Sequence, residues 1–134
     1  MTLLDIVIPV ELTNGNDGRG SKWFSSAKVR KKMEAKFRHL GMTRTPFQNP
    51  VRVTVIRILG RGQRKWDSSS VGRGNYKEIE DALTAIGWWH DDSPKWIENT
   101  EFQQDDSRRN EGPALRLIVA PAITDAETSE SPAA

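Results

Sequence analysis

Cysteine is absent from this chain, which excludes disulfides and thiolate-bound metals. No stretch of about 18 consecutive apolar residues occurs, so a membrane-spanning helix is excluded as well. The opening MTLLDIVIPV lacks the basic segment that begins a secretory signal and carries Asp5 early, so it reads as a first strand. The glycine pairs Gly60–Gly62 and Gly72–Gly74 have neither the spacing nor the following lysine-serine of a nucleotide phosphate loop. What remains is a polar chain of 134 residues, 36% apolar, with a mean hydropathy of -0.64. That length suits one domain with one core, and the absences together point to the cytoplasm.

Charge is unevenly spread. The net value is +2, but the last fourteen residues, PAITDAETSESPAA, hold Asp125, Glu127 and Glu130 and no base. Without them, residues 1–120 carry +5. Arg19 to Arg44 contains nine Lys or Arg against Glu34 alone, a local excess of +8. Such a stripe attracts phosphates at long range and gives salt-sensitive, sequence-independent binding, although a merely solvated helix face has the same composition. The domain is therefore read as residues 1–120, followed by an acidic tail, 121–134, expected to be disordered.

Hydrophobic periodicity sets the elements. Leu3–Val10 alternates and then meets Pro9, which predicts a strand near a sheet edge. From about Ser21 to Leu40 the pattern is helical, with Val29, Met33, Phe37 and Leu40 on a buried stripe and Lys28, Lys31 and Arg38 opposite. Val51–Leu59 is rich in β-branched residues and predicts a strand; its alternation slips near Val55–Ile56, which implies burial on both faces or a bulge. Gly60–Gly74 reads as a basic loop. Asn75–Ile86 predicts a second helix, buried through Tyr76, Ile79, Leu83 and Ile86 and ended by Gly87. A strand over Trp96–Phe102, a polar hairpin-like connection over Gln103–Pro113 and a last strand over Leu115–Ala120 complete a β-α-β-α-β-β order. The expected class is an α/β (α+β) two-layer fold, with a mixed or mostly antiparallel sheet of about four strands packed against two helices.

The segment from Trp66 to Ile97 concentrates the chemistry. Asp67 stands in the basic loop. Lys77 and Asp81 are four apart on the face of the second helix opposite Ile79 and Leu83, and Asp91-Asp92 follow the helix end and Trp88-Trp89. Each has an ordinary use: an i,i+4 ion pair worth about a few tenths of a kcal/mol, a turn-forming Asp pair ahead of Ser93-Pro94, and a surface acid. Brought together, carboxylates repel and call for a cation; oxygen-only donors suit Mg²⁺, with Mn²⁺ as a substitute. His90 is read as a turn residue and His39 as a partner of helix-terminal carbonyls. Of the five tryptophans, most are assigned to core or dimer contacts, with Trp23 and Trp66 able to stack a base from basic loops.

The string DALTAIGWWHDDSPKWI, residues 81–97, resembles the signature of the RusA family of phage and bacterial Holliday-junction resolvases. In that family an aspartate-rich D-x-D-N loop precedes a lysine, then D-A-L four residues later, then a glycine, an apolar elbow and D-D-[SA]. Lys77 stands four residues before Asp81-Ala82-Leu83, and Gly87, Trp88, Trp89 and Asp91-Asp92 fall at the matching positions. The resemblance spans nearly residues 4–120 and is close only over 77–97. At the family spacing the D-x-D-N positions would be Val71, Gly72, Arg73 and Gly74, without a carboxylate. An insertion aligns Asp67-Ser68-Ser69-Ser70 instead, so that Ser69 replaces the second acid.

The resemblance implies a Mg²⁺-dependent endonuclease of branched DNA acting as a homodimer, since two symmetric cuts need two sites about a two-fold axis. Asp67, Lys77 and Asp92 would be catalytic; Asp67 and Asp92, with Asp91, would hold the metal. Lys77 would stabilise charge developing at the phosphate. Arg61, Arg64, Lys65 and Arg73, together with Lys28, Lys31 and Arg38, would contact DNA phosphates. The missing acid at Ser69 leaves open a catalytically weakened homologue that binds junctions without cutting them. Also open is a small basic protein that binds RNA or a protein partner.

Overall fold

In the computed structural model, residues 2–13, 26–67, 70 and 74–122 are described. The elements are β1 (Leu4–Ile8), α1 (Ser26–His39), β2 (Val51–Ile58), α2 (Tyr76–Ala85), β3 (Ile97–Asp105), a short 3₁₀ turn (Arg109–Glu111) and β4 (Ala114–Pro121). They form the expected two-layer arrangement, with a mixed four-stranded sheet in the order β1-β4-β2-β3. β4 is antiparallel to both β1 and β2, whereas β2 and β3 run parallel through the α2 crossover. The start expected for the first helix, Ser21 to Ser25, lies outside the described residues, as does the tail beyond Ala122.

Four expectations change. The connection after β3 is no hairpin, because β3 and β4 are not neighbours and β2 lies between them. β3 itself runs on to Asp105, since its parallel register follows β2 to the end, Ile58↔Asp105. β4 includes Pro121, which sits opposite Val51 and so belongs to the sheet rather than to the tail. Leu40, expected on the buried stripe of α1, falls one residue past the helix and is 43% exposed. There the chain turns at Gly41, at φ +74°, and the Met42 N–H donates to the Phe37 carbonyl.

The slip in the β2 pattern is burial on both faces: Val51, Val53 and Val55 pack toward the helices, while Ile56 and Ile58 are buried on the other side. The main core joins those valines to Leu115, Leu117 and Val119 of β4 and Ile8 of β1, and covers them with Phe37, Ile79, Ala82, Leu83 and Ile86. Gly87 is needed twice, for its φ of +100° and because a Cβ would lie 2.1 Å from the Arg44 carbonyl oxygen.

Two side-chain amides lock loops onto this frame. Gln104 Oε1 accepts from the Trp66 N–H at 2.8 Å, while its Nε2 donates to the Trp66 carbonyl at 3.0 Å. Asn75 repeats the device, accepting from the Thr13 N–H at 2.9 Å and donating to the Glu11 carbonyl at 3.1 Å. Each amide presents a donor and an acceptor at fixed spacing, as a neighbouring strand would. Arg57, 3% exposed at the end of β2, lies 3.6 Å above the Trp66 ring and donates to the Arg64 carbonyl and Gln104.

Candidate functional site

The solvent side of α2 carries Lys77, Asp81 and Thr84, spaced four and three apart, because its other side is taken by Tyr76, Ile79, Ala82 and Leu83. Lys77 Nζ donates to Asp92 Oδ2 at 2.5 Å and lies 3.2 Å from Asp81 Oδ1 and 3.7 Å from Glu80 Oε1. Its pKa is raised, first by the Asp92 hydrogen bond and then by Asp81, against the opposing effect of desolvation. Glu80 is the most enclosed of these acids, at 15% side-chain exposure. Burial raises its pKa, and Lys77 only partly offsets that.

Asp92 reaches this ammonium because the chain after α2 is fixed tightly. Trp88 and Trp89 are buried edge to face, at a centroid distance of 5.9 Å. Their indole N–H groups donate to the Met42 carbonyl at 2.8 Å and to Thr84 Oγ1 at 2.7 Å. The backbone also pairs Phe47 with Trp88 and Arg44 with Ile86. Beyond the indoles, Asp91 Oδ1 accepts from the Ser93 N–H at 2.8 Å, and the Ser93 carbonyl accepts from Trp96 and Ile97. Hydrogen bonds from Ser93 lower the Asp91 pKa. Asp91 thus builds the turn that presents Asp92, the ordinary role of an aspartate before Ser-Pro.

Asp67 does not join this group. It is exposed; its carbonyl accepts from the Ser70 N–H at 2.8 Å, and its carboxylate has no side-chain partner among the described residues. Ser69 and Arg73 lie outside the described residues. Among the described residues, no three His, Cys, Asp or Glu side chains gather in a way that could hold a metal ion. The acids around Lys77 supply hard oxygen donors, the chemistry Mg²⁺ prefers, but they converge on an ammonium.

A cleft of about 360 Å³ between α1 and α2 is lined by Arg30, Glu34, Asp81, Thr84, Ala85 and Asp92. Arg30 and Glu34 carried no assignment in the sequence; their signal was position, since each follows a residue of the Val29–Met33 stripe and so borders the buried side. Lys28, Lys31 and Arg38 are exposed as expected, with Arg38 3.6 Å from Glu34. Arg61, Arg64 and Lys65 are exposed too, Lys65 lying 3.9 Å from Asp106. Arg109, by contrast, is structural: its guanidinium donates to the Gly60 and Gln63 carbonyls and fastens that turn. Trp66 has one face under Arg57, Trp23 lies outside the described residues, and the exposed His90 ring rests 4.4 Å from that of Trp96.

No helix among the described residues is long and apolar enough to cross a membrane. Compared with known proteins, the chain matches no family model and no curated sequence.

Proposed function

We propose that this chain is a RusA-like endonuclease that hydrolyses phosphodiesters of branched DNA, with Mg²⁺ (or Mn²⁺) as cofactor, as a homodimer in the bacterial or phage-host cytoplasm. The observation that carries the reading is the meeting of Lys77, Asp81 and Asp92, three residues of the motif drawn together from positions up to 15 apart. Asp92 is the carboxylate that would hold the ion, with Asp81 beside it. Asp67 and Asp91 are less well placed than the motif implies, because one stands apart and the other is spent on its turn. The ion, when bound, supplies polarisation of the scissile phosphate and acidifies the attacking water. Lys77 holds a proton firmly and sets a positive charge where negative charge grows on the phosphate as the P–O bond breaks. The basic side chains of α1 and of the 61–65 loop position the strand without reading its bases.

A second reading is favoured by one specific feature: the ammonium of Lys77 already neutralises Asp81 and Asp92, and no carboxylate from the loop joins them. A chain so built would bind junctions without cutting. Incubation with a four-way junction and Mg²⁺ separates the two. Symmetric nicks, lost in Asp92→Asn while junction affinity stays equal or rises, support the nuclease. Bound but uncut junction supports the second reading, and equal affinity for branched and linear duplex defeats both.

A further inference from the structure

We infer that Arg30 is the phosphate clamp of the cleft between the two helices, a positioning residue that holds one phosphodiester group against the Lys77–Asp92 pair. The inference rests on the nuclease reading for its substrate class, and on the structure for its choice of residue.

Every other charged group lining that cleft has a partner of opposite sign. Asp81 and Asp92 contact Lys77, and Glu34 takes Arg38. Helical spacing would let Glu34 pair equally with Arg30, four residues before it, yet the pair formed is with Arg38. Among the described residues no carboxylate lies within ion-pair distance of Arg30. Arg30 is half-buried, unlike the exposed Lys28, Lys31 and Lys32 around it. It therefore faces the cleft with its cation uncommitted. A guanidinium offers a planar fork of donors that matches two phosphate oxygens at once, a geometry a lysine cannot reproduce. With the lining acids already matched, the fork and not net charge would select an anion there. The cleft walls then have distinct tasks: α1 grips the phosphate through Arg30, and the facing wall holds Asp81 and Asp92, each in contact with Lys77.

The test uses the full chain, ¹⁵N-labelled and titrated with dimethyl phosphate while the arginine Nε–Hε resonances are followed. The Arg30 signal should move saturably, and an added four-way junction should abolish the response. Arg30→Lys keeps the charge and removes the fork. It should lower cleavage at saturating junction by at least about tenfold with affinity little changed, whereas Arg52→Lys, the same exchange at an exposed arginine of β2 on the other face of the sheet, should leave both unchanged. An Arg30 resonance indifferent to dimethyl phosphate, or Arg30→Lys and Arg52→Lys behaving alike, overturns the assignment even if cleavage stands. A saturable Arg30 response in a chain that cuts no junction keeps the phosphate site and discards the nuclease. Circular dichroism of the variants identifies any loss of fold.

Discussion

The two helices that flank the cleft are opposites in charge. α1 carries six Lys or Arg against Glu34, while α2 carries Glu78, Glu80 and Asp81 against Lys77. Into the cleft between them α1 turns Arg30 and Glu34, and α2 turns Asp81. The helices differ in anchoring as well: Ile79, Ala82 and Leu83 of α2 are fully buried, whereas in α1 Phe37 is buried to that degree and Val29 and Met33 are partly covered. One helix is therefore held by the core and carries the acids. The other lies more shallowly and offers cations. Position is strictly set on the side where chemistry would occur and looser where a polyanion need only be attracted.

That contrast can be broken most severely at the acids. Asp92→Asn should reduce junction cleavage by at least about a hundredfold, a transition-state loss typical of removing one essential electrostatic group, measured as initial rate in Mg²⁺. Next is the anchoring itself. Leu83→Ala should cost about 3 kcal/mol by urea denaturation, the range for a large buried side chain, and Met33→Ala clearly less; equal losses would show that the helices are held alike. Tyr76→Phe should raise stability by up to about 1 kcal/mol, because it removes a buried hydroxyl that lacks a partner among the described residues. Lys31→Ala should flatten the salt dependence of DNA binding by about one phosphate contact, with a slope change near 0.9.

The smallest effect is a control on the far face of the sheet. The Arg116 guanidinium holds the Asp5 carboxyl below its ordinary range through two hydrogen bonds, 2.8 and 2.7 Å long. A lowered folded-state pKa adds stability that is present above the ordinary carboxylate range and lost as pH falls through it. Asp5→Asn should therefore lower stability at pH 7 and leave it nearly unchanged near pH 2. Both side chains are about a third exposed, so the effect should stay below about 1 kcal/mol.

Much of this arrangement was legible in the chain. Periodicity found the four strands and two helices of the described residues, because each buries a side whose spacing matches its backbone. The parallel β2–β3 pair and the extension of β3 to Asp105 were not legible, since strand order depends on which neighbours meet and not on alternation within one strand. At the site, spacing put Lys77 and Asp81 on one face of α2, whereas Asp92 entered through the family resemblance, because no periodicity says where the chain goes once the helix has ended. Asp91 illustrates the limit: Asp-Asp-Ser-Pro serves a ligand pair and a turn equally well, and only the Ser93 N–H reveals which oxygen is spent. Arg30 stayed hidden among near-identical basic neighbours on one helix, where residue type carries no information and angular position carries all of it.

The paired contacts made by Asn75 and Gln104 leave the chain open to ageing. Loss of ammonia from either side chain would turn it into a carboxylate, with lone pairs set against the Glu11 or Trp66 carbonyl that now accepts a hydrogen bond. No other atom changes, yet a mutual grip becomes a repulsion on one side. Old preparations would then lose the seating of the Glu11–Thr13 segment or of Trp66 before the core itself gives way, and a one-dalton mass gain at either position would mark the damaged molecules.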